Sequence, residues 1–130
     1  MSSTQTGKKK DRRSYPRVAL ESLVRIRCPG GDSFSAPIRD ISRSGISAIC
    51  NQELHDKIVS RVDAESPEKA LFRLSFSLPA NGPGNRVDAS CSLAHLSSRD
   101  KYFLAGFKFH SFEKQGYEVV ESFILESMRY

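Results

Sequence analysis

Residues 72–78 read Phe72-Arg73-Leu74-Ser75-Phe76-Ser77-Leu78, apolar at every even position and polar at every odd one. A period of two marks a strand with one face buried and the other wet. Downstream, Pro79-Ala80-Asn81-Gly82-Pro83-Gly84-Asn85 reads as a long hairpin loop. Val87, Ala89, Cys91 and Leu93 then alternate with Asp88, Ser90 and Ser92. The chain turns over Ser97–Lys101, and Phe103, Ala105, Phe107 and Phe109 carry the pattern to the next bend. Upstream, Val24, Ile26 and Cys28 alternate with Arg25 and Arg27 ahead of a turn at Pro29-Gly30-Gly31-Asp32. Phe34–Ile41 and Ile46–Cys50 complete six strands.

The period changes only at the end, where Tyr117, Val120, Ile124 and Met128 recur at three- and four-residue steps. That spacing predicts an amphipathic helix, with acids near its start to suit its dipole and Ser111 as its N-cap. Residues 51–70 are polar and weakly patterned, open to either a short helix or a loop. Six antiparallel strands and a terminal helix predict an all-β fold, a barrel or barrel-like sandwich. Closure is favoured because it removes exposed strand edges.

A chain of 130 residues has room for one modest core. No stretch approaches the roughly 18 apolar residues of a membrane span, and no apolar run follows the N-terminal basic residues as in a signal peptide. The expected location is the cytoplasm. Cys28, Cys50 and Cys91 are odd in number and sit in apolar segments, so they read as reduced core residues.

The formal net charge is +5, and all of it lies in residues 1–17, where six basic residues meet the single acid Asp11. Residues 18–130 hold 14 basic and 14 acidic side chains. The reading is a disordered basic tail over residues 1–11 and one domain over 12–130. A basic arm on a neutral body points to an anionic partner met at the arm.

Two constellations could carry chemistry. Arg13 and Arg17, four apart and preceded by Arg12, place guanidinium forks on one loop. Each fork fits a phosphate or the O6/N7 edge of guanine. Taken alone, the same residues read more readily as a solvated basic tail. The second is Asp40-Ile41-Ser42-Arg43-Ser44-Gly45, between two strands. An aspartate accepts from the N–H groups of guanine's Watson–Crick edge, and a serine gives or takes one more bond. Gly45 permits a backbone conformation or a close approach that a Cβ would forbid. An ordinary β-turn uses the same residue types.

Together, R-x-x-x-R before the first strand and D-x-S-x-x-G between the second and third resemble the PilZ domain family. The resemblance covers about residues 12–128, and both motifs match at every fixed position. It implies a six-stranded antiparallel β-barrel with a C-terminal α-helix, and a bacterial receptor for cyclic di-GMP. It further implies that Arg13 and Arg17 clamp phosphates and guanine edges, that Asp40 and Ser42 bind a guanine, and that Gly45 shapes the turn. In this family a basic residue just before the first motif arginine accompanies a stacked pair of ligand molecules. Arg12 therefore implies two stacked molecules per site. The expected mechanism is a clamp: the arginine loop orders over the barrel face on binding, and a downstream protein reads the result.

Nothing in the sequence asks for catalysis, a metal or a cofactor. His55, His95 and His110 lie in separate segments, and no paired-cysteine, H-E-x-x-H or phosphate-loop motif is present. His95 and His110 read as ordinary polar positions at strand ends, and Asp88 as part of a solvated face. Two rivals remain. One is a PilZ-like interaction adaptor with weak or lost nucleotide binding. The other is weak, salt-sensitive nucleic-acid contact through the tail, against which the neutral body argues. The tail alone makes a poor membrane-surface anchor.

Overall fold

The alternating segments pair edge to edge and close on themselves in the computed structural model, which describes residues 17–63, 65–79 and 85–128. The strands are β1 (Val18–Ala19), β2 (Leu23–Arg27), β3 (Ser33–Ile41), β4 (Gly45–Cys50), β5 (Phe72–Ser77), β6 (Arg86–Ser98) and β7 (Phe103–Phe112). Two helices, α1 (Gln52–Arg61) and α2 (Gly116–Ser127), complete the fold with a 3₁₀ turn at Pro67–Lys69. The six long strands pair in the order β3-β2-β5-β6-β7-β4, all antiparallel, and β4 pairs back onto β3. The barrel is closed, as the alternation predicts. The seventh strand, β1, is two residues long and takes over the side of β3 beyond the reach of β2, pairing with Asp40 and Ile41.

The core is the set of inward positions the alternation names, including Val24, Ile26, Leu74, Phe76, Val87 and Phe107. Phe72 and Phe107 meet edge to face at 5.3 Å inside it. Cys28, Cys50 and Cys91 are free and buried, and burial pushes the thiols up, Cys50 to about 11 and Cys91 to about 12. Across the β2–β3 turn, Gly30 and Gly31 take positive φ values of 100° and 106°, where a side chain would be strained.

The segment left open in sequence holds α1. Asn51 caps it, its Oδ1 accepting from the Leu54 N–H at 2.9 Å, and only Leu54 and Ile58 are buried. Two anchors one turn apart give a helix with little periodicity to read. At the C-terminus two expectations need correcting. Ser111 is not the N-cap: β7 runs on through Phe112, Lys114 turns the corner at φ 55°, and the helix starts at Gly116. The buried face is Gly116, Val120, Phe123 and Ile124, whereas Tyr117 and Met128 stay exposed because they lie at the margin of that stripe, about 60–80° round the helix from Val120. The tail over 1–11, together with Arg12 and Arg13, lies outside the described residues, as do 80–84 of the β5–β6 loop. Among the described residues no helix is long and apolar enough to cross a membrane.

Candidate functional site

Strand β1 brings Arg17 to the C-terminal end of β3. Its Nη1 donates to Asp40 Oδ1 at 3.0 Å and to Ser47 Oγ at 3.5 Å, joining residues 23 and 30 positions apart. Arg17 Nε is buried and has no hydrogen-bond partner among the described residues. A buried, unpaired donor on a guanidinium is a place where an incoming acceptor is favoured.

Asp40 faces outward because of a bulge. Ala36 and Ile38 point into the core, and strict alternation would send Asp40 in after them. The register slips between Ile38, opposite Ala48, and Asp40, opposite Ser47, leaving Arg39 as the extra residue. The slip turns Asp40 towards Arg17 and returns Ile41 to the core. The same happens on β6. Val87, Ala89 and Cys91 are buried, yet His95 is outside, because β6 has an extra residue between Leu93, opposite Phe107, and His95, opposite Gly106.

These registers align four strands. Asp40 faces Ser47, Ser47 faces Gly106, and Gly106 faces His95. With neighbouring strands about 4.8 Å apart, the row runs roughly 14 Å along the barrel wall. Its middle carries only a hydroxymethyl group and a hydrogen, and Arg17 and His95 fold in over it from either side. The His95 ring covers Gly106: a Cβ there would stand 2.1 Å from its Cε1. The resulting cleft, about 440 Å³, is lined by Arg17, Arg39, Asp40, Ser47, His95, Arg99 and Leu104. That volume lies in the range of small-ligand sites.

The D-x-S-x-x-G stretch forms the β3–β4 turn. Ser42 N–H donates to the Gly45 carbonyl at 2.8 Å, and Ser42 Oγ accepts from the Ser44 N–H at 3.2 Å. Ser42 is 1% exposed, so in this state its hydroxyl braces the turn. Gly45 has an ordinary negative φ; of the two roles foreseen for it, close approach is the one found. A Cβ there would lie 2.2 Å from the Phe107 carbonyl oxygen. Arg43, inside the turn, reaches across to Glu121 of α2 at 3.9 Å.

Sequence reasoning thus named Arg17, Asp40, Ser42 and Gly45, and the fold brings Arg17 and Asp40 into one cleft with the turn beside it. It missed Arg39, Ser47, Arg99, Leu104 and the His95–Gly106 pair. One signal was available: a glycine inside a strand pattern marks close approach by something else. The other histidines lie elsewhere, His55 stacked on Phe103 at 3.8 Å and His110 bonded to Ser92 at 2.7 Å. Among the described residues no group of three or more His, Cys, Asp or Glu forms a metal site.

A family model described as PilZ domain matches residues 11–126. No curated protein sequence matches the chain. Several solved structures share its fold. The Bacillus subtilis inhibitor of motility MotI/DgrA is 14% identical, with a TM-score of 0.67 over 92% of this chain. The PilZ domain of YcgR from Escherichia coli with c-di-GMP is 15% identical, with a TM-score of 0.63 over 92% of this chain and 93% of the other. The MrkH–c-di-GMP complex of K. pneumonia is 17% identical, with a TM-score of 0.64 over 90% of this chain. The chain spans about half the length of the MotI/DgrA and MrkH chains, 52% of each. At these identities the likeness establishes the fold.

Proposed function

The chain belongs to the PilZ domain family, and from that premise we propose that it is a cyclic di-GMP receptor which seats the nucleotide in the cleft between Arg17 and His95. One observation carries the reading. The two motifs, far apart in sequence, meet in a 3.0 Å contact between Arg17 and Asp40 at the edge of the cleft that Ser47 and His95 also line. Two of the structures that share the fold were solved with c-di-GMP.

The chemistry follows from the side chains. Asp40, acceptor-only when ionised, suits the N1–H and amino group of a guanine edge. Arg17 offers a fork for a phosphate or for guanine O6/N7, and its unpaired Nε gains an acceptor. The ion pair holds both groups in place before the ligand arrives, which lowers the ordering cost of binding. Arg39 and Arg99 add cations on the cleft wall. In this proposal Arg12 and Arg13 close over the nucleotide from the N-terminal side, and Arg12 favours a stacked pair of ligands. Gly45 keeps the turn close to β7, and Ser42 either continues to brace it or turns to the ligand. The role is binding, with no catalytic step assigned, in the cytoplasm where a nucleotide messenger is met. Ordering of the arginine segment would then be read by a partner protein, a switch that works only if the ligand prefers the ordered arrangement.

Competition titration with a fluorescent cyclic di-GMP tests the assignment. Unlabelled cyclic di-GMP should displace it where GTP and cyclic GMP do not. Arg17→Ala should weaken binding at least about 30-fold, the scale for truncating one member of a paired charge site. Asp40→Ala should relax the preference for guanine over adenine dinucleotides. Absence of wild-type binding at low salt would leave the adaptor reading in its place.

A further inference from the structure

The wall opposite the cleft, built by β2 and β5 with the adjoining edges of β3 and β6, carries a second groove. Two hollows of about 580 and 390 Å³ run into each other there, sharing Arg25, Ser75 and Arg86, and no residue lining them lines the Arg17 cleft. Registers place Ser35, Arg25, Ser75 and Asp88 in one outward row. Ser33, Arg27, Arg73 and Ser90 form the next. The serines are short, so the arginines stand above a floor of hydroxyls.

One contact on this wall runs against sheet stability. Arg27 lies directly across from Arg73, and like charges in facing positions destabilise a pair. Arg73 is held by Glu113, and Arg86 by Asp88. The side chains of Arg25 and Arg27 have neither an ion pair nor a hydrogen bond among the described residues. Glu113 offsets the charge of Arg73, whereas the guanidiniums of Arg25 and Arg27 stay unpaired on the outer face and are open to an anionic partner. Next to them on the same outward stripe, Leu23 is 61% exposed.

We infer that this wall docks an extended acidic segment of a protein partner, with an apolar residue and two carboxylates at alternate positions. Leu23, Arg25 and Arg27 repeat at about 7 Å along the strand, and an extended segment presents alternate side chains at the same spacing. Carboxylates fit guanidinium forks in two-pronged fashion, and they would relieve the Arg27–Arg73 repulsion. A nucleic-acid strand fits less well. Among the described residues the wall offers no exposed aromatic ring for base stacking, and a sugar–phosphate backbone would leave Leu23 uncovered.

The test is amide-shift mapping on the isotope-labelled full chain. It is titrated with a peptide bearing leucine and two glutamates at alternate positions between threonines, with its glutamine counterpart, and with a single-stranded oligonucleotide. The glutamate peptide should move amides in 23–27 and 73–77, and the glutamine peptide should bind about tenfold more weakly or worse. Arg25→Gln/Arg27→Gln should lose the response and Arg17→Ala should keep it. Leu23→Ser provides a second variant on the same stripe and should weaken binding without touching charge. Three results would overturn the inference: no shifts at millimolar peptide and low salt, equal response in the Arg25/Arg27 variant, or tighter binding of the oligonucleotide on this wall.

Discussion

A methyl group added at Gly45 would stand 2.2 Å from the carbonyl oxygen of Phe107, and one added at Gly106 would stand 2.1 Å from Cε1 of His95. The first obstacle is backbone in a paired strand and cannot swing aside, so Gly45→Ala forces β4 away from β7. It should cost about 3 kcal/mol in denaturant unfolding, the upper part of the range for overpacking. The second obstacle is the tip of a side chain that can rotate. Gly106→Ala should cost under about 1 kcal/mol, yet weaken nucleotide binding by pushing the imidazole out of its place on the cleft wall. Unfolding curves and ligand titrations on both variants separate these outcomes; a Gly106→Ala protein with unchanged affinity would take His95 out of the binding surface. At this scale the sequence was half legible. Arg17 and Asp40 announce themselves by residue type and spacing. Arg39 and His95 do not, because what makes them site residues is one extra residue in the strand that bears each.

Among the elements, the strands were legible wherever alternation holds over several residues, as in Phe72–Ser77, whose buried set is the even-numbered one. Where a bulge shifts parity, as after Ile38 and Leu93, no pattern in the chain marks it, since only the partner strand reveals the slip. Helix α2 starts late because Phe112 belongs to the sheet and the corner at Lys114 carries no strong turn residue. Asp88, read as solvated, instead ties β5 to β6: Ser75 Oγ donates to its carboxylate at 2.5 Å, and Arg86 approaches at 3.2 Å. The Ser75 bond, ahead of the opposing cost of burial and the smaller help of Arg86, holds the Asp88 carboxyl below its ordinary range. A depressed folded value stabilises the native state above the unfolded pKa, about 3.9, and the gain is lost as pH falls through the folded value. Asp88→Asn should therefore cost about 1 kcal/mol at neutral pH, discounted for its partial exposure. The gap to wild type should close as pH drops below about 4. Urea unfolding at neutral and acidic pH checks this, and a gap that stays constant with pH would remove the ionised carboxylate from the account.

For the whole molecule, closure turns six ordinary strands into two opposed walls, each with its own cleft. On the β4–β7 wall a cleft opens between Asp40 and His95, and Arg17 is fixed at its rim by β1. Every unit of the net charge lies in residues 1–17, and Arg17, the described member of that segment, sits at the cleft. The 3.9 Å ion pair from Arg43 to Glu121 links the same turn to α2, the longer of the two helices, which packs its apolar face on the core. The central claim is that this wall binds cyclic di-GMP through the arginine segment. Isothermal titration of cyclic di-GMP into wild-type protein and into an Arg13→Ala/Arg17→Ala variant tests it most directly. The account predicts micromolar or tighter binding that the variant loses, with two ligands per chain if Arg12 favours the stacked pair. No heat with wild-type protein at low salt, or equal binding by the variant, would contradict it.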